Sequence, residues 1–344
     1  MVKEFGKIRE GEIANIFTLR NKQGMEIDVT NYGASLVSVR VPKDNKIYDV
    51  VLGYDDVTGY ENAGTYFGAT VGRNANRIGN ASFELNGIKY QLDKNDNDNN
   101  LHSGYDYYNK RLWNTNEVDE HNISFYIVSE HGDQGYPGEV LIEVMYELTD
   151  SNEISIHYYC KAKDDTIVNL TNHSYFNLNG HNSGTILNHK MWIDSDSYTP
   201  TDKYLIPTGE IVSVENTPMD FRIEKEVGQD INEDYDALKI ATGYDHNYVL
   251  KGEGYRKVAS IVADQSKITM EVYTDTPGLQ VYSGNFLDNE PGKDNSIYQR
   301  QSGICFETQY FPDAINHDNF KSPIVKKGDI MSSVTTYKFV DLFL

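Results

Sequence analysis

Apolar and polar residues alternate along much of this 344-residue chain, and this period of two constrains the fold more than any other feature. From Val140 to Leu148 every even-numbered position is apolar, whereas Glu143 and Glu147 lie between them. The pattern recurs at residues 25–30, 37–42, 154–158 and 267–272. Successive side chains of a β-strand point to opposite faces, so these segments predict half-buried strands.

Turn-forming residues separate the predicted strands, as at Asn86-Gly87, residues 150–152 and Asn179-Gly180. The one segment that suggests a short helix runs from about Glu224 to Leu238. The length alone permits one domain or two, but no repeat of 20–50 residues and no Pro/Gly/Ser linker divides the chain. We therefore predict an all-β fold: one large antiparallel β-sandwich, with residues 1–344 as a single domain.

The charge of the chain limits what it binds. There are 52 acidic and 31 basic residues, for a formal net charge of -21. A phosphate backbone attracts a surplus of Lys and Arg, so this balance argues against nucleic acid and disfavours highly anionic substrates. A neutral small molecule is the expected partner. Aromatic residues make up 12% of the chain, enough to line a polar and aromatic cleft.

The sequence also predicts where the protein works. It has no apolar leader segment and no run of about 18 apolar residues, so we expect neither a signal peptide nor a membrane span. Cys160 and Cys305 lie far apart and lack the spacing of a zinc or disulfide framework. A cytoplasmic protein is expected, while its oligomeric state is left open.

The acidic, asparagine-rich segment from Asp93 to Asn100 has the composition of a calcium site. It lacks the glycine and the terminal glutamate of a calcium-binding loop, so a solvated hairpin loop is the better interpretation. Its importance is positional, because it leads directly into Leu101 and His102.

Glu307 follows an apolar run, so we expect it to be at least half buried. A buried carboxylate requires either a structural partner such as an arginine or a role as a base with a raised pKa, and the residue pattern leaves both open. His173 and His102 are each either a hydrogen-bonded structural histidine or a site residue. They are 71 positions apart without a metal-binding spacing, so a metal site is disfavoured.

Several other polar residues carry weaker expectations. Arg77 is either a structural ion-pair partner or a site residue, and Arg73 is expected to be a structural ion-pair partner. Asp245 is a candidate acceptor for a hydroxyl group. Six further histidines are expected to be solvated, namely His121, His131, His157, His181, His189 and His317.

Six motifs occur in order over most of the chain, and together they resemble the aldose 1-epimerase (galactose mutarotase) family. They read G-R-N-A-N-R-I at 72–78, N-L-H-S-G at 100–104, T-N-H-S-Y-F-N-L at 171–178, D-H-N-Y at 245–248, P-G-L-Q-V-Y-S-G-N-F at 277–286 and E-T-Q-Y-F-P-D-A-I-N at 307–316. One departure is Ser103, where the family commonly has glycine. Serine fits there unless the backbone requires a positive φ.

The resemblance implies a β-supersandwich that interconverts the α and β anomers of free aldohexoses without a metal or cofactor. It implies that Glu307 is the base, that His173 is the acid and that His102 assists at the ring oxygen. Asn76, Arg77, Asp245 and Gln280 would hold the sugar hydroxyls. Two alternatives remain: an epimerase of phosphorylated hexoses, which would need an Arg/Lys cluster, and a sugar-binding module, which would have lost Glu307 or His173.

Overall fold

The computed structural model describes residues 1–342, apart from the side chains of residues 117 and 118, and these residues form three main antiparallel sheets. Residues 343 and 344, the end of the predicted domain, lie outside the described residues. The all-β prediction is confirmed, and most strands fall where the alternation predicts them. The strand Val140–Leu148, for example, buries every second residue.

The largest sheet has nine strands within the described residues. In spatial order they are Asn114–Val118, Asn122–Ser129, Val140–Leu148, Glu153–Ala162, Ile330–Val340, Thr269–Thr274, Arg256–Val262, Lys190–Ile193 and Lys225–Glu226. The last strand of the chain, Ile330–Val340, therefore lies in the middle of this sheet, paired with Glu153–Ala162 and Thr269–Thr274.

A six-stranded sheet packs against the nine-stranded one. Its strands, in spatial order, are Tyr175–Phe176, Ile304–Gln309, Gly278–Tyr282, Asp245–Val249, Ser197–Tyr198 and Val212–Ser213. Between the two sheets the Tyr337 hydroxyl donates to the carbonyl of Phe306 at 3.0 Å, and the rings of Phe176 and Tyr337 lie 4.7 Å apart. Ile142 and Val281, from opposite sheets, share one apolar core. This face-to-face packing is the predicted β-sandwich.

A five-stranded meander forms the amino-terminal part of the molecule. Its strands are Val2–Lys7, Ile13–Arg20, Glu26–Thr30, Ser35–Lys43 and Lys46–Asp49. Phe17 from this sheet packs edge-on against Phe125 of the nine-stranded sheet, with ring centroids 5.7 Å apart. The meander thereby extends the same apolar core.

Short elements connect the sheets. Five two-stranded pairs are described: Thr70–Val71 with Thr171–Asn172, Arg77–Ile78 with Asn100–Leu101, Ser82–Leu85 with Ile88–Gln91, Thr166–Ile167 with Ile324–Val325, and Glu290–Pro291 with Ile297–Tyr298. Five 3-10 turns span Gly79–Ala81, Tyr108–Lys110, Asp133–Gly135, Lys293–Asn295 and Ala314–Asn316. The predicted turn at Asn86-Gly87 closes a hairpin, and both of its residues have positive φ.

The prediction of a helix from Glu224 to Leu238 is largely wrong. The helix there spans Asp236–Ala241, because upstream backbone donors pair over long range: Val227 N with His189 O at 2.8 Å and Gly228 N with Leu187 O at 2.7 Å. A further helix, Val57–Asn62, was not predicted, although Asp56 caps its first turn. No helix within residues 1–342 has the length and apolarity to cross a bilayer.

Two histidines predicted to be solvated are buried. His189 Nε2 accepts from the Leu178 amide at 3.1 Å, and His181 Nδ1 lies 2.9 Å from the Tyr298 hydroxyl. Polar neighbours in the sequence are a poor guide here, because the loops that carry these residues are hydrogen-bonded to distant segments: the His181 amide donates to the Asp49 carbonyl, and the His189 carbonyl accepts from the Val227 amide.

The prediction for Arg73 is half right. Its role is structural, but its partners are carbonyl and hydroxyl groups rather than a carboxylate. The fully buried guanidinium donates to the carbonyls of Pro137 at 2.9 Å and Gly138 at 2.8 Å, and none of the described carboxylates comes within ion-pair distance. Cys160 and Cys305 are buried free thiols, which confirms that they form no disulfide.

Candidate active site

Three neighbouring strands of the six-stranded sheet supply the floor of the candidate site. Glu307 lies directly opposite Gln280 on the adjacent strand, and Cys305 lies opposite Tyr282, which in turn lies opposite Asp245. Directly opposed residues share one face of a sheet, so all five side chains point to the same side. The alternate residues of these strands point into the apolar core.

The two-stranded pair Arg77–Ile78 and Asn100–Leu101 supplies one wall. Asn76 and His102 lock onto each other: the His102 amide donates to the Asn76 carbonyl at 3.0 Å, and the Asn76 amide donates to His102 Nδ1 at 3.1 Å. Asn76, His102 and Ser103 all have positive φ, at 61°, 50° and 72°. Such backbone is unusual outside glycine and clusters at functional sites.

Ser103 adopts a backbone conformation that favours glycine, and its side chain compensates for this. The backbone does need a positive φ, and the serine hydroxyl offsets the strain by binding the neighbouring segment. It accepts from the Asn74 amide at 2.8 Å and lies 3.1 Å from the Asn74 carbonyl and 3.2 Å from the Tyr136 hydroxyl. Ser103 thereby ties the His102 loop to the segment that carries Asn76.

The segment from Asp93 to Asn100 is less solvated than predicted, because its asparagines are used internally. Asn95 holds Leu101 by two hydrogen bonds of 2.8 Å, one to its amide and one to its carbonyl. Asp96 accepts from Arg77 Nε at 2.8 Å. The positional role predicted for this segment is therefore visible in the structure, since it fixes the residue before His102.

These elements enclose a cleft of about 230 Å³. Its described lining residues are Gly64, Thr65, Tyr66, Asn76, Arg77, Leu101, His102, His173, Tyr175, Asp245, Tyr282, Phe286, Leu287 and Glu307. Six of the seven predicted site residues line the cleft. The seventh, Gln280, lies behind Asp245 and donates to its Oδ1 at 2.6 Å.

Glu307 has the environment of a base rather than that of a structural ion pair. Its side chain is 3% exposed, its Oε1 lies 3.7 Å from His173 Nε2, and its Oε2 has no hydrogen-bond partner among the described residues. Burial raises the pKa of Glu307 well above its ordinary value; the nearby Asp245 raises it further, and Arg77 opposes the shift. Of the two alternatives left open by the sequence, the geometry favours the second.

His173 lies between two groups of opposite character. Its Nε2 faces Glu307, and its Nδ1 lies 3.5 Å from the sulfur of Cys305. Burial raises the pKa of the Cys305 thiol, which therefore keeps its proton and can donate it to Nδ1. Burial lowers the pKa of His173 to about 4. Because Nδ1 is bound to the thiol, Nε2 is the nitrogen that the imidazole presents to the cleft.

His102 is held in a single tautomer. Because the Asn76 amide donates to Nδ1, the hydrogen of neutral His102 must be on Nε2. Burial is the main reason that the pKa of His102 lies well below its ordinary value, with smaller contributions from His173 and Arg77. The neutral ring can therefore donate a hydrogen bond into the cleft.

The position of Arg77 is compatible with both of the interpretations given to it. Arg77 is an ion-pair partner of Asp96 and also lines the cleft. Asp245 has a raised pKa, mainly through burial, and is oriented by Gln280. The Oε1 of Gln280 is buried without a partner among the described residues, so this amide retains an acceptor.

An aromatic wall was missed by the sequence analysis. The Tyr66 ring stacks on His173 at 5.7 Å and contacts His102 at 4.7 Å, and Tyr282 stacks on Phe286 at 6.1 Å. Tyr282 and Phe286 lie within the motif at 277–286, but Tyr66 gives no signal in the sequence. Its place in the site becomes evident only from its position between the two histidines.

The chain is similar to known proteins over nearly its full length. The family model described as aldose 1-epimerase matches residues 15–338. Galactose mutarotase from Bos taurus is 41% identical over 327 residues, covering 94% of this chain and 93% of that protein. Aldose 1-epimerase from Escherichia coli K12 is 36% identical over 336 residues, covering 96% of each.

Solved structures give the same result. An aldose epimerase homologue from C. elegans superposes with a TM-score of 0.90 at 28% identity, covering 96% of this chain and 100% of its own. A galactose 1-epimerase from Lactobacillus acidophilus has a TM-score of 0.86 at 26% identity, and 98% of each chain is covered.

Proposed function

The chain belongs to the aldose 1-epimerase family, which makes it an isomerase of aldose anomers, and we propose that Glu307 and His173 are its proton-transfer pair. The observation that carries the proposal is the Oε2 of buried Glu307, which lies beside His173 and has no hydrogen-bond partner in the described part of the chain. A buried carboxylate without a partner destabilises a fold, so its presence needs a functional reason.

Anomer interconversion requires one proton to leave the anomeric hydroxyl and one to reach the ring oxygen. Ionised Glu307 takes the first and protonated His173 supplies the second, whereupon the bond between C1 and the ring oxygen breaks. The aldehyde then rotates about its bond to C2, and the same two groups return the protons as the ring closes on the other face. General acid and base steps of this kind typically contribute about 10²–10⁴-fold each.

The pair holds one proton throughout this cycle. Before ring opening the proton is on His173, and after opening it is on Glu307. The pKa of Glu307 is raised and that of His173 is lowered to about 4, so the buried site favours the uncharged arrangement in which Glu307 is protonated. Both arrangements lie on the reaction path, which suits a reversible exchange with no net consumption of protons.

The other lining residues bind the sugar. Neutral His102 donates from Nε2 towards the ring oxygen, beside His173. Asn76, Arg77 and Asp245 hold hydroxyls away from the reacting end, with Gln280 orienting Asp245 and offering its free acceptor. Anchoring the far end leaves the aldehyde free to rotate while the sugar stays bound. Tyr175 faces the cleft and can pack on the sugar, whereas Phe176 belongs to the core.

The substrate is a free aldohexose such as galactose or glucose. Arg77 is the one Lys or Arg among the described lining residues, and Asp96 already occupies its Nε. A phosphorylated hexose would need a cluster of cations, so this rival is disfavoured. We also infer one domain over residues 1–344, supported by the family match over 15–338, and a cytoplasmic location, supported by two free thiols.

Polarimetry on a panel of freshly dissolved α-aldoses tests the proposal. The purified protein should accelerate the decay of optical rotation for α-galactose or α-glucose well above the buffer rate. Decay at the buffer rate for every aldose would contradict the proposed activity. Full activity after exhaustive chelation would support a reaction that needs no metal.

A further inference from the structure

Three buried side chains on the cleft floor bring together the donor types that thiophilic metal ions prefer. His173, Cys305 and Glu307 each offer one ligand atom, and these atoms lie within 4.8 Å of one another. The sulfur of Cys305 is 3.5 Å from one nitrogen of His173, and Oε1 of Glu307 is 3.7 Å from the other. A mixed set of thiolate, imidazole and carboxylate is typical of zinc and its soft relatives.

We propose that this cluster is an inhibitory binding site for a thiophilic divalent cation such as Zn²⁺ or Cd²⁺. The cation would bind the sulfur of Cys305, the Nδ1 of His173 that faces this sulfur, and one oxygen of Glu307, whose side chain turns from Nε2 towards the cation. The proton of the thiol, and that of Glu307 when it is protonated, leave to solvent as the metal–sulfur and metal–oxygen bonds form. The fourth position opens onto the cleft, where a water molecule completes a tetrahedron.

Two further features favour a cation here. Oε2 of Glu307 is a buried carboxylate oxygen without a partner among the described residues, so the cation would satisfy it. One thiolate and one carboxylate neutralise a divalent ion, which limits the penalty for burying charge. Asp245 adds a second carboxylate to the same cleft, and Arg77 is the one cation among the described lining residues that opposes binding.

Inhibition rests on the proposed function, because the cation would occupy both members of the proton-transfer pair. Cation and sugar should therefore compete. Binding itself does not rest on the proposed function, so the two ideas can fail separately. Cys305 is the residue to substitute, because it is not itself assigned to proton transfer and the chain has a second buried cysteine for comparison.

The experiment titrates Cd²⁺ into chelator-treated full-length protein and follows the ultraviolet charge-transfer band of a cadmium–thiolate bond. We expect one Cd²⁺ per chain, and a band that weakens when galactose is added. Cys305→Ser keeps a hydroxyl donor for His173 but removes the soft ligand. It should weaken Cd²⁺ binding by more than the roughly tenfold that loss of an outer-shell partner costs a metal site.

Cys160→Ala is the matched control, because Cys160 is equally buried but lies in the nine-stranded sheet away from the cleft. This variant should keep both the band and the inhibition of polarimetric activity by Zn²⁺. A band that persists in Cys305→Ser, or disappears in Cys160→Ala, would overturn the site. A normal Cd²⁺ band in a protein without epimerase activity would instead support the site and reject the proposed function.

Discussion

The nine-stranded and six-stranded sheets are built from similar strands but use their buried surfaces differently. Val140–Leu148 in the larger sheet alternates buried and partly exposed residues, so one face is core and the other meets solvent. Gly278–Tyr282 and Ile304–Gln309 in the smaller sheet are buried on both faces. One of those faces is apolar, and the other carries Glu307, Gln280 and Asp245.

This difference separates stability from chemistry. The apolar core between the sheets gains free energy from every side chain it buries. The polar face of the smaller sheet instead costs free energy of folding, because Glu307 Oε2 and Gln280 Oε1 are buried without hydrogen-bond partners among the described residues. Polar groups that destabilise a fold in this way are typical of sites that bind and react.

Glu307→Gln is expected to have the largest effect. Removing the base should lower the polarimetric rate by about 10²–10⁴-fold while galactose binding remains measurable. The same change removes a buried carboxylate without a partner, so the free energy of unfolding should rise, by on the order of 1 kcal/mol in urea denaturation.

Glu147→Gln is the matched control for this substitution. Glu147 lies on the partly exposed face of the nine-stranded sheet, and its side chain is 38% exposed. Its replacement should leave both the rate and the stability nearly unchanged. A Glu307→Gln variant with an undiminished rate would remove Glu307 from the role of base. A lowered free energy of unfolding in this variant would contradict the expectation that the buried carboxylate destabilises the fold.

Ile142→Ala tests the opposite side of the comparison. Ile142 is fully buried in the core between the sheets and is not among the described residues that line the cleft. Truncation should lower the free energy of unfolding by about 2–5 kcal/mol, through lost burial and the cavity left behind. Polarimetry below the unfolding transition should show a rate per folded molecule close to that of the original protein. A selective loss of rate would show that the core also tunes the site.

The contributions of two buried groups to the free energy of unfolding should depend on pH with opposite sign. Burial lowers the pKa of His189 to about 4, so its contribution to stability is present above about pH 6.5 and is lost as the pH falls towards 4. The pKa of Glu307 is raised, so its contribution is present below about pH 4.3 and is lost as the pH rises.

Urea unfolding over a pH series measures both effects by difference. Relative to His189→Gln, the original protein should lose stability between about pH 6.5 and 4, at up to about 1.4 kcal/mol per pH unit. Relative to Glu307→Gln, it should lose stability as the pH rises. Parallel pH profiles for the original protein and either variant would contradict the corresponding prediction.

Ser103 should give the smallest effect. Ser103→Ala keeps a side chain at a φ of 72° and loses the hydroxyl that binds Asn74, so it should destabilise the protein by about 1 kcal/mol and slow epimerisation through His102. Ser103→Gly loses the same hydroxyl but relieves the strain, so its stability should lie closer to the original. Equal losses in both variants, measured by urea unfolding, would show that strain at this position is unimportant.

The sequence predicted the architecture well because alternation reports directly which face of a strand is buried. Six of the seven site residues that it predicted line the cleft, because the motifs specify those residues individually. It failed where long-range contacts decide the outcome. Arg73 and Arg77 stand four residues apart in one motif, yet the first binds loop carbonyls inside the protein and the second reaches the cleft.

The same limit explains the other misses. Tyr66 enters the site from a loop without regular structure, and His189 is buried by a turn whose partners come from distant segments. The unpaired Oε2 of Glu307 is a property of what surrounds it in space. No local pattern in the sequence encodes such a surrounding, which is why the residue pattern left its role open between base and ion pair.

The position of the last strand has a consequence for synthesis in the cell. Ile330–Val340 separates Glu153–Ala162 from Thr269–Thr274, so the two halves of the large sheet cannot join until residues 330–340 have left the ribosome. Until then both neighbouring strands have an open edge that other chains can pair with. The nascent protein is therefore most exposed to aggregation before residues 330–340 emerge, and that is when a chaperone would protect it best.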